Sequence, residues 1–182
     1  MHRRAQPCGM EVRRTLPDER GEVLELYGHA SALQRAKGQV EWPPIDPALV
    51  DMEIQEGRQW QIRLEGRMAC VWVVAYEDPQ IWGELDADPS VYLHRIATHP
   101  DFRGRRMVGK VVEWACAHAQ TEGRTHLRLD TVGNNAALIQ LYTGHGFTFL
   151  GAEVLEDVDG LPGHYADGPC LRFERVVASP NA

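Results

Sequence analysis

The sequence predicts an α/β domain with one mixed, mostly antiparallel sheet of about seven strands and helices on both faces. Three observations carry this. Apolar or alternating stretches interleave with stretches of helical period, in the order strand, two helices, three strands, helix, strand, helix, two strands. Short turns join several of the strands, and such hairpins make antiparallel neighbours, which disfavours a doubly wound parallel sheet. The length of 182 residues suits one domain with a substantial core. That domain is expected over residues 10–177, with 1–9 and 178–182 as flexible tails.

Residues 10–15 form the first strand. Pro17, Asp18 and Glu19 suit a helix start, and Val23, Leu26, Tyr27, Ala30 and Leu33 make a helical stripe ending near Gly38. The proline-rich segment 41–47 is a loop, followed by a short helix over 47–56 that stops at Gly57. Runs 60–64 and 67–76 flank Glu65-Gly66 as a hairpin, and the second is apolar throughout, as in a strand covered on both faces. Residues 77–90, with Pro79, Gly83 and Pro89 among carboxylates, read as a loop. Alternation in strand 91–98 sets Val91, Leu93, Arg95 and Ala97 against Tyr92, His94, Ile96 and Thr98. The helix over 105–120 carries Val108, Val111, Val112, Ala115, Cys116 and Ala119 on one stripe. A strand at 125–130, a turn at 133–135, a short helix at 136–143 and strands at 147–156 and 169–177 complete the chain.

The formal net charge of -7 disfavours a nucleic-acid binder, although Arg103, Arg105 and Arg106 crowd one turn. The longest apolar run, 68–76, is far short of the roughly 20 residues that cross a bilayer. The first ten residues hold Arg3 and Arg4 but no apolar leader segment, so the cytoplasm is the default location. Cys8, Cys70, Cys116 and Cys170 lack paired spacing and read as reduced, mostly buried thiols. His94 and His99 have neither helical spacing nor a nearby carboxylate, so no metal site is expected.

Chemistry enters at the strand, turn and helix of residues 91–118. A strand that enters a helix through a Gly-containing turn gathers free amides at the positive end of a helix dipole, where anions bind. The arginines of the turn add charge. The turn is a candidate pyrophosphate cradle or simply a basic, solvated helix start, and it lacks the Gly-Lys-Ser/Thr of a Walker loop.

Downstream, Asn135, Ala136, Ala137, Leu138, Ile139, Gln140, Leu141 and Tyr142 precede Gly144, Gly146 and Phe147. With this pattern the chain resembles the GCN5-related N-acetyltransferase (GNAT) superfamily. The resemblance implies a sheet splayed at a cofactor cleft. There, main-chain groups of Ile96, Ala97 and Thr98 hold the acetyl and pantetheine part of acetyl-CoA. The turn from Arg103 through Gly104, Arg105, Arg106, Met107 and Val108 to Gly109 takes the pyrophosphate. The family's turn is Gln/Arg-x-x-Gly-x-Gly/Ala, and here Arg106 and Val108 replace its two small residues, although glycine is what allows close backbone approach.

The same resemblance makes Asn135 a contact of the cofactor arm and Tyr142 the acid that protonates the departing thiolate; their ordinary roles are helix cap and core aromatic. Asp130 stands where some family members have a catalytic carboxylate, or else serves as a turn acceptor; Glu84 and His94 are other candidate bases. Trp42, Trp82, Glu84, His164 and Tyr165 lie in loops expected near the mouth of the cleft, where they line the acceptor pocket or cover the core edge.

The leading expectation is an acetyl-CoA-dependent N-acetyltransferase acting on a small-molecule or protein amine. A degenerate CoA- or acyl-CoA-binding sensor without turnover is the alternative, and an interaction module without a cofactor is the third. A homodimer is the commonest symmetric assembly.

Overall fold

A computed structural model describes residues 9–177. The expected tails, with Cys8, Arg3 and Arg4, lie outside these residues apart from Gly9. Seven strands form one sheet in the order β1-β2-β3-β4-β5-β7-β6. They are β1 (Met10–Arg14), β2 (Gln59–Leu64), β3 (Arg67–Ala75), β4 (Ser90–Thr98), β5 (His126–Val132), β6 (Thr148–Glu153) and β7 (Cys170–Val176). Only β4 and β5 run parallel, joined by a helical crossover. The expected hairpin joins β2 to β3, and Glu65 (φ 51°) and Gly66 (φ 77°) both take the positive φ of a tight two-residue turn.

The helices are α1 (Arg20–Ala36), α2 (Pro47–Gln55), α3 (Pro79–Trp82), α4 (Met107–Thr121) and α5 (Ala136–Gly144). Asp46 caps α2 by accepting from the Ala48 amide at 2.9 Å, with Pro47 in the first turn. One face of the sheet packs α1 and α2 through Val23, Leu26, Tyr27 and Val50 against Val71 and Ala97. On the other face Val111, Val112 and Ala115 of α4 meet Trp72, Val74, Leu93 and Leu129. Of the described cysteines, all unpaired thiols, Cys70 and Cys170 are buried and Cys116 is partly so. No described helix is long and apolar enough to cross a membrane.

Several boundaries differ from the sequence reading, among them strand β6, which ends at Glu153 rather than at 156. Segment 77–90 contains helix α3 and a 3-10 turn, Gly83–Ala87, rather than loop alone, because Pro79 supplies a helical φ in the first turn. Helix α4 begins at Met107, since Arg106 is left-handed. Strand β5 runs on to Val132, held there by β7.

Arg128 on β5 is fully buried. It donates to Glu174 and Asp88, each at 2.7 Å, and lies 4.9 Å over the Trp82 ring. It thereby ties the 83–89 segment to the sheet. Replacing this buried guanidinium removes its bonds to the partly exposed Glu174 and Asp88 and to the Leu85 carbonyl, so Arg128→Met should lower the unfolding free energy by about 1–2 kcal/mol in a denaturant titration.

Candidate active-site cleft

Strands β4 and β5 pair only from Ser90↔His126 to Leu93↔Leu129. Beyond that they part. Between Val71 and Val73 of β3, the partner on β4 jumps from Ala97 to His94, so β4 carries one extra residue there. Arg95 sits in this bulge at φ 48°. Its guanidinium bonds both carboxylate oxygens of Glu53, buried on α2, and lies 5.4 Å over the Tyr27 ring of α1. These contacts hold a conformation that costs an L-residue about 1–2 kcal/mol. The extra residue also resets the alternation. Leu93 belongs to the α4 side while Ala97 packs under α1 and α2, so the expected common face of Val91, Leu93, Arg95 and Ala97 holds only as far as Leu93.

The parting strands border a cleft of about 1310 Å³. Of the residues expected to hold a cofactor, Ile96, Ala97, Thr98, Arg103, Gly104, Arg106, Met107, Val108, Gly109 and Asn135 line it. Arg105 does not; it lies 5.3 Å over the Phe102 ring, outside the cleft. The first intrahelical bond of α4, from Lys110 N to Arg106 O at 3.2 Å, leaves the amides of Arg106 to Gly109 without a backbone acceptor among the described residues. The Arg106 side chain is exposed and likewise has no protein partner among them. At φ 58°, Arg106 takes a backbone shape that glycine adopts without cost. Val108 is partly buried against the main core. A Cβ on Gly109 would come within 2.9 Å of His145 Cε1, so a larger residue here would have to displace the His145 ring. Asn135 caps α5 through Oδ1, which accepts from the Leu138 amide at 3.2 Å, and its Nδ2 has no protein partner among the described residues.

Tyr142 of α5 lines the same cleft from the core, 7% exposed, against Phe147 and Phe173. Burial raises its pKa above the usual phenol range, so it keeps its proton at neutral pH. On the α1 and α2 side of the sheet stand Asp78, His94 and Asp130, whose ligand atoms lie within 4.8 Å of one another. Asp130 Oδ2 accepts from the Tyr165 hydroxyl at 2.7 Å. His94 Nε2 lies 3.7 Å from Asp78 Oδ2, and burial lowers the His94 pKa, which favours the neutral ring. Asp78 Oδ2 is buried with no hydrogen-bond partner. Burial, reinforced by repulsion from Asp130 and Asp86, pushes the Asp78 carboxyl up to about 7.

Trp42, His164 and Tyr165 border the cleft as expected of mouth residues. Trp82 and Glu84 do not. Trp82 is 1% exposed in a satellite core with Ile81, Tyr92 and Cys170, held by cation–π contact with Arg128, and Glu84 is exposed on the outer turn. A large aromatic next to a buried arginine gains more from burial than from lining a wet mouth.

The chain matches the acetyltransferase (GNAT) family over residues 29–147, well over half its length. It belongs to that family. It is 27% identical over 127 residues to a Bacillus subtilis (strain 168) protein named uncharacterized N-acetyltransferase YesJ, covering 65% of this chain and 71% of that one. A GNAT-family acetyltransferase from Listeria monocytogenes 4b F2365 superposes with a TM-score of 0.75 at 20% identity, covering 92% of this chain and 94% of that one. The structure of yncA from Salmonella typhimurium with its cofactor acetyl-CoA gives 0.66 at 15% identity, covering 95% and 96%. At these identities the solved structures share the fold.

Within this GNAT fold, the sequence reading passed over Asp78, Arg95 and Glu53. Asp78 sat among loop carboxylates, and its only local signal was the Asp-Pro helix start. The pairing of Arg95 with Glu53 spans 42 residues and leaves no local trace.

Two measurements check these environments. Arg106→Gly relieves a left-handed side chain and should stabilise the fold by up to about 1 kcal/mol in denaturant unfolding. Because the folded pKa of Asp78 is raised, its contribution to stability is present below the unfolded value near 3.8 and is lost as pH rises through about 7. The Tm gain of Asp78→Asn over the parent should therefore grow between acidic and mildly alkaline pH; a constant difference would contradict the raised pKa.

Proposed function

We propose that the chain is an N-acetyltransferase that uses acetyl-CoA to acetylate an amine. The observation that carries this is the continuity of one cleft. It joins the unpaired amides of the α4 turn to Tyr142 and to the Asp78, His94 and Asp130 group. The α4 amides, the Arg106 side chain and the free Nδ2 of Asn135 suit a pyrophosphate and its pantetheine arm. Main-chain groups of Ile96, Ala97 and Thr98, freed from β5 by the bulge, suit the acyl end. Acetyl-CoA supplies the acetyl group as a thioester, an electrophile for a neutral amine.

The chain's own residues divide the remaining work. Tyr142 holds a proton at Oη in a dry setting, available to a departing sulfur. Asp130, fixed by Tyr165, contributes negative charge where an ammonium group would arrive. Arg106 adopts a glycine-like backbone and Val108 packs on the core, so neither closes the turn, which serves a CoA binder and an enzyme alike. Asn135 and Tyr142 on the same cleft are what favour the enzyme over a degenerate binder.

Acetyl-CoA at saturating concentration should raise the Tm by about 5 °C or more, since a ligand at a hundredfold excess over its Kd stabilises by about 2.7 kcal/mol. No shift would overturn the reading. Tyr142→Phe should lower kcat by roughly tenfold to a hundredfold while the KM for acetyl-CoA changes little, measured by thiol release.

A further inference from the structure

We propose that Asp78 takes the proton from the acceptor's ammonium group, and that the acceptor is a small primary amine with an apolar body and no carboxylate beside its nitrogen. This rests on the acetyl-transfer reading and deepens it. Asp78 stands at the foot of helix α3, where it opens the helix without capping it through its side chain. Its side chain is 13% exposed and borders the cleft, with Oδ2 buried and unpartnered among the described residues. A buried carboxylate oxygen without a donor is costly. An ammonium group offers three donors and would satisfy it. His94 is neutral and, at 3.7 Å, beyond direct hydrogen-bonding distance, while Asp130 already accepts from Tyr165. Asp78 is therefore the member of the group with a buried oxygen left unpartnered among the described residues; Asp130 Oδ1 also has no partner there but is not buried.

The surrounding charges select the acceptor. Asp78 faces Asp130, Asp86 and His94, and His94 also feels Arg95 and Arg58. Both arginines are committed, Arg95 to Glu53 and Arg58 to Glu56. An arriving ammonium meets carboxylates to which no arginine or lysine is bonded among the described residues, whereas a carboxylate on the adjacent carbon would meet them with no cation bonded beside them to receive it. The cleft's Lys37 and Arg106, unpaired among the described residues, belong to the C-terminal end of α1 and to the α4 turn. Trp42 and Leu161 line the same cleft, and Ile81, three residues after Asp78, backs it, which suits an apolar body.

In the proton step the ammonium N–H bond breaks, its electron pair stays on nitrogen, and an O–H bond forms on Asp78. The carboxylic acid then releases that proton to water through the open cleft. A carboxyl poised near neutrality is ionised often enough to act and accepts the proton with little uphill cost.

The test is thiol release with acetyl-CoA across neutral pH, comparing phenethylamine and tryptamine with phenylalanine and tryptophan. The amines should exceed the amino acids in kcat/KM by about a hundredfold, and Asp78→Asn should lower kcat for the amines by about a hundredfold and remove the acidic limb of the pH profile. Asp78→Glu should restore part of the rate. A retained acetyl-CoA thermal shift shows that each variant is folded. Equal use of the amino acids, or use of none of these compounds by a parent enzyme that binds acetyl-CoA, overturns the substrate class and leaves the acetyl-CoA reading intact. An unchanged kcat and pH profile in Asp78→Asn overturns the proton role. Absence of any acetyl-CoA shift in the parent overturns the underlying reading instead.

Discussion

The bulge at Arg95 and its pairing with Glu53 govern the opening of the cleft. Without the extra residue, β4 would keep its register with β3 and could go on pairing with β5 past Leu93. A positive φ at a residue with a side chain is unfavourable, and desolvating an ion pair is costly too. Here the attraction between Arg95 and Glu53, with the packing of Tyr27, offsets both. Arg95 Nη2 bonds both oxygens of Glu53 and the Tyr27 ring covers the guanidinium, although its buried Nε has no hydrogen-bond partner among the described residues. The same contact pins α2 and α1 over the sheet. Tyr27 reaches Gln59 on β2 at 2.9 Å, which extends the buried polar chain across the helical layer. The opening of the sheet and the seating of its helical cover are thus one event.

Polarity is separated along the cleft. The α4 end presents unpaired amides and Arg106, a setting for anions. The opposite end presents Asp78 and Asp130 with no arginine or lysine bonded to them among the described residues, a setting for cations. Tyr142 lies among aromatic rings, and its burial preserves its proton. Segment 37–46 roofs this space; a Cβ on Gly133 would come within 2.7 Å of Val40 Cγ2, so the strap lies against the end of β5 at contact distance. That closeness narrows the space at the end of β5.

Much of the architecture was legible because each element announces itself over a few consecutive residues. The stripe of Val111, Val112 and Ala115 has helical period, the run of β3 is apolar on both faces, and Glu65-Gly66 suits a tight turn. Asn135 and Tyr142 were legible for a different reason, as parts of a short family pattern. Asp78 was not, because one acid among several in a loop has no periodicity to mark it. Trp82 misled for a related reason. Its burial depends on Arg128, which lies far along the chain and itself read as an ordinary strand residue.

The sequence alone determined the element order, the mixed sheet, the arginine-rich turn before α4 and the family resemblance, since all of these depend on neighbours within a few residues. The tertiary structure alone decided where β4 leaves β5, which arginine of the turn faces the cleft, and which carboxylate is left without a partner. Those outcomes depend on Glu53 meeting Arg95, on Phe102 meeting Arg105, and on Tyr165 meeting Asp130. Hydrogen bonding and charge compensation act across space, and the chain order between such partners carries no record of them.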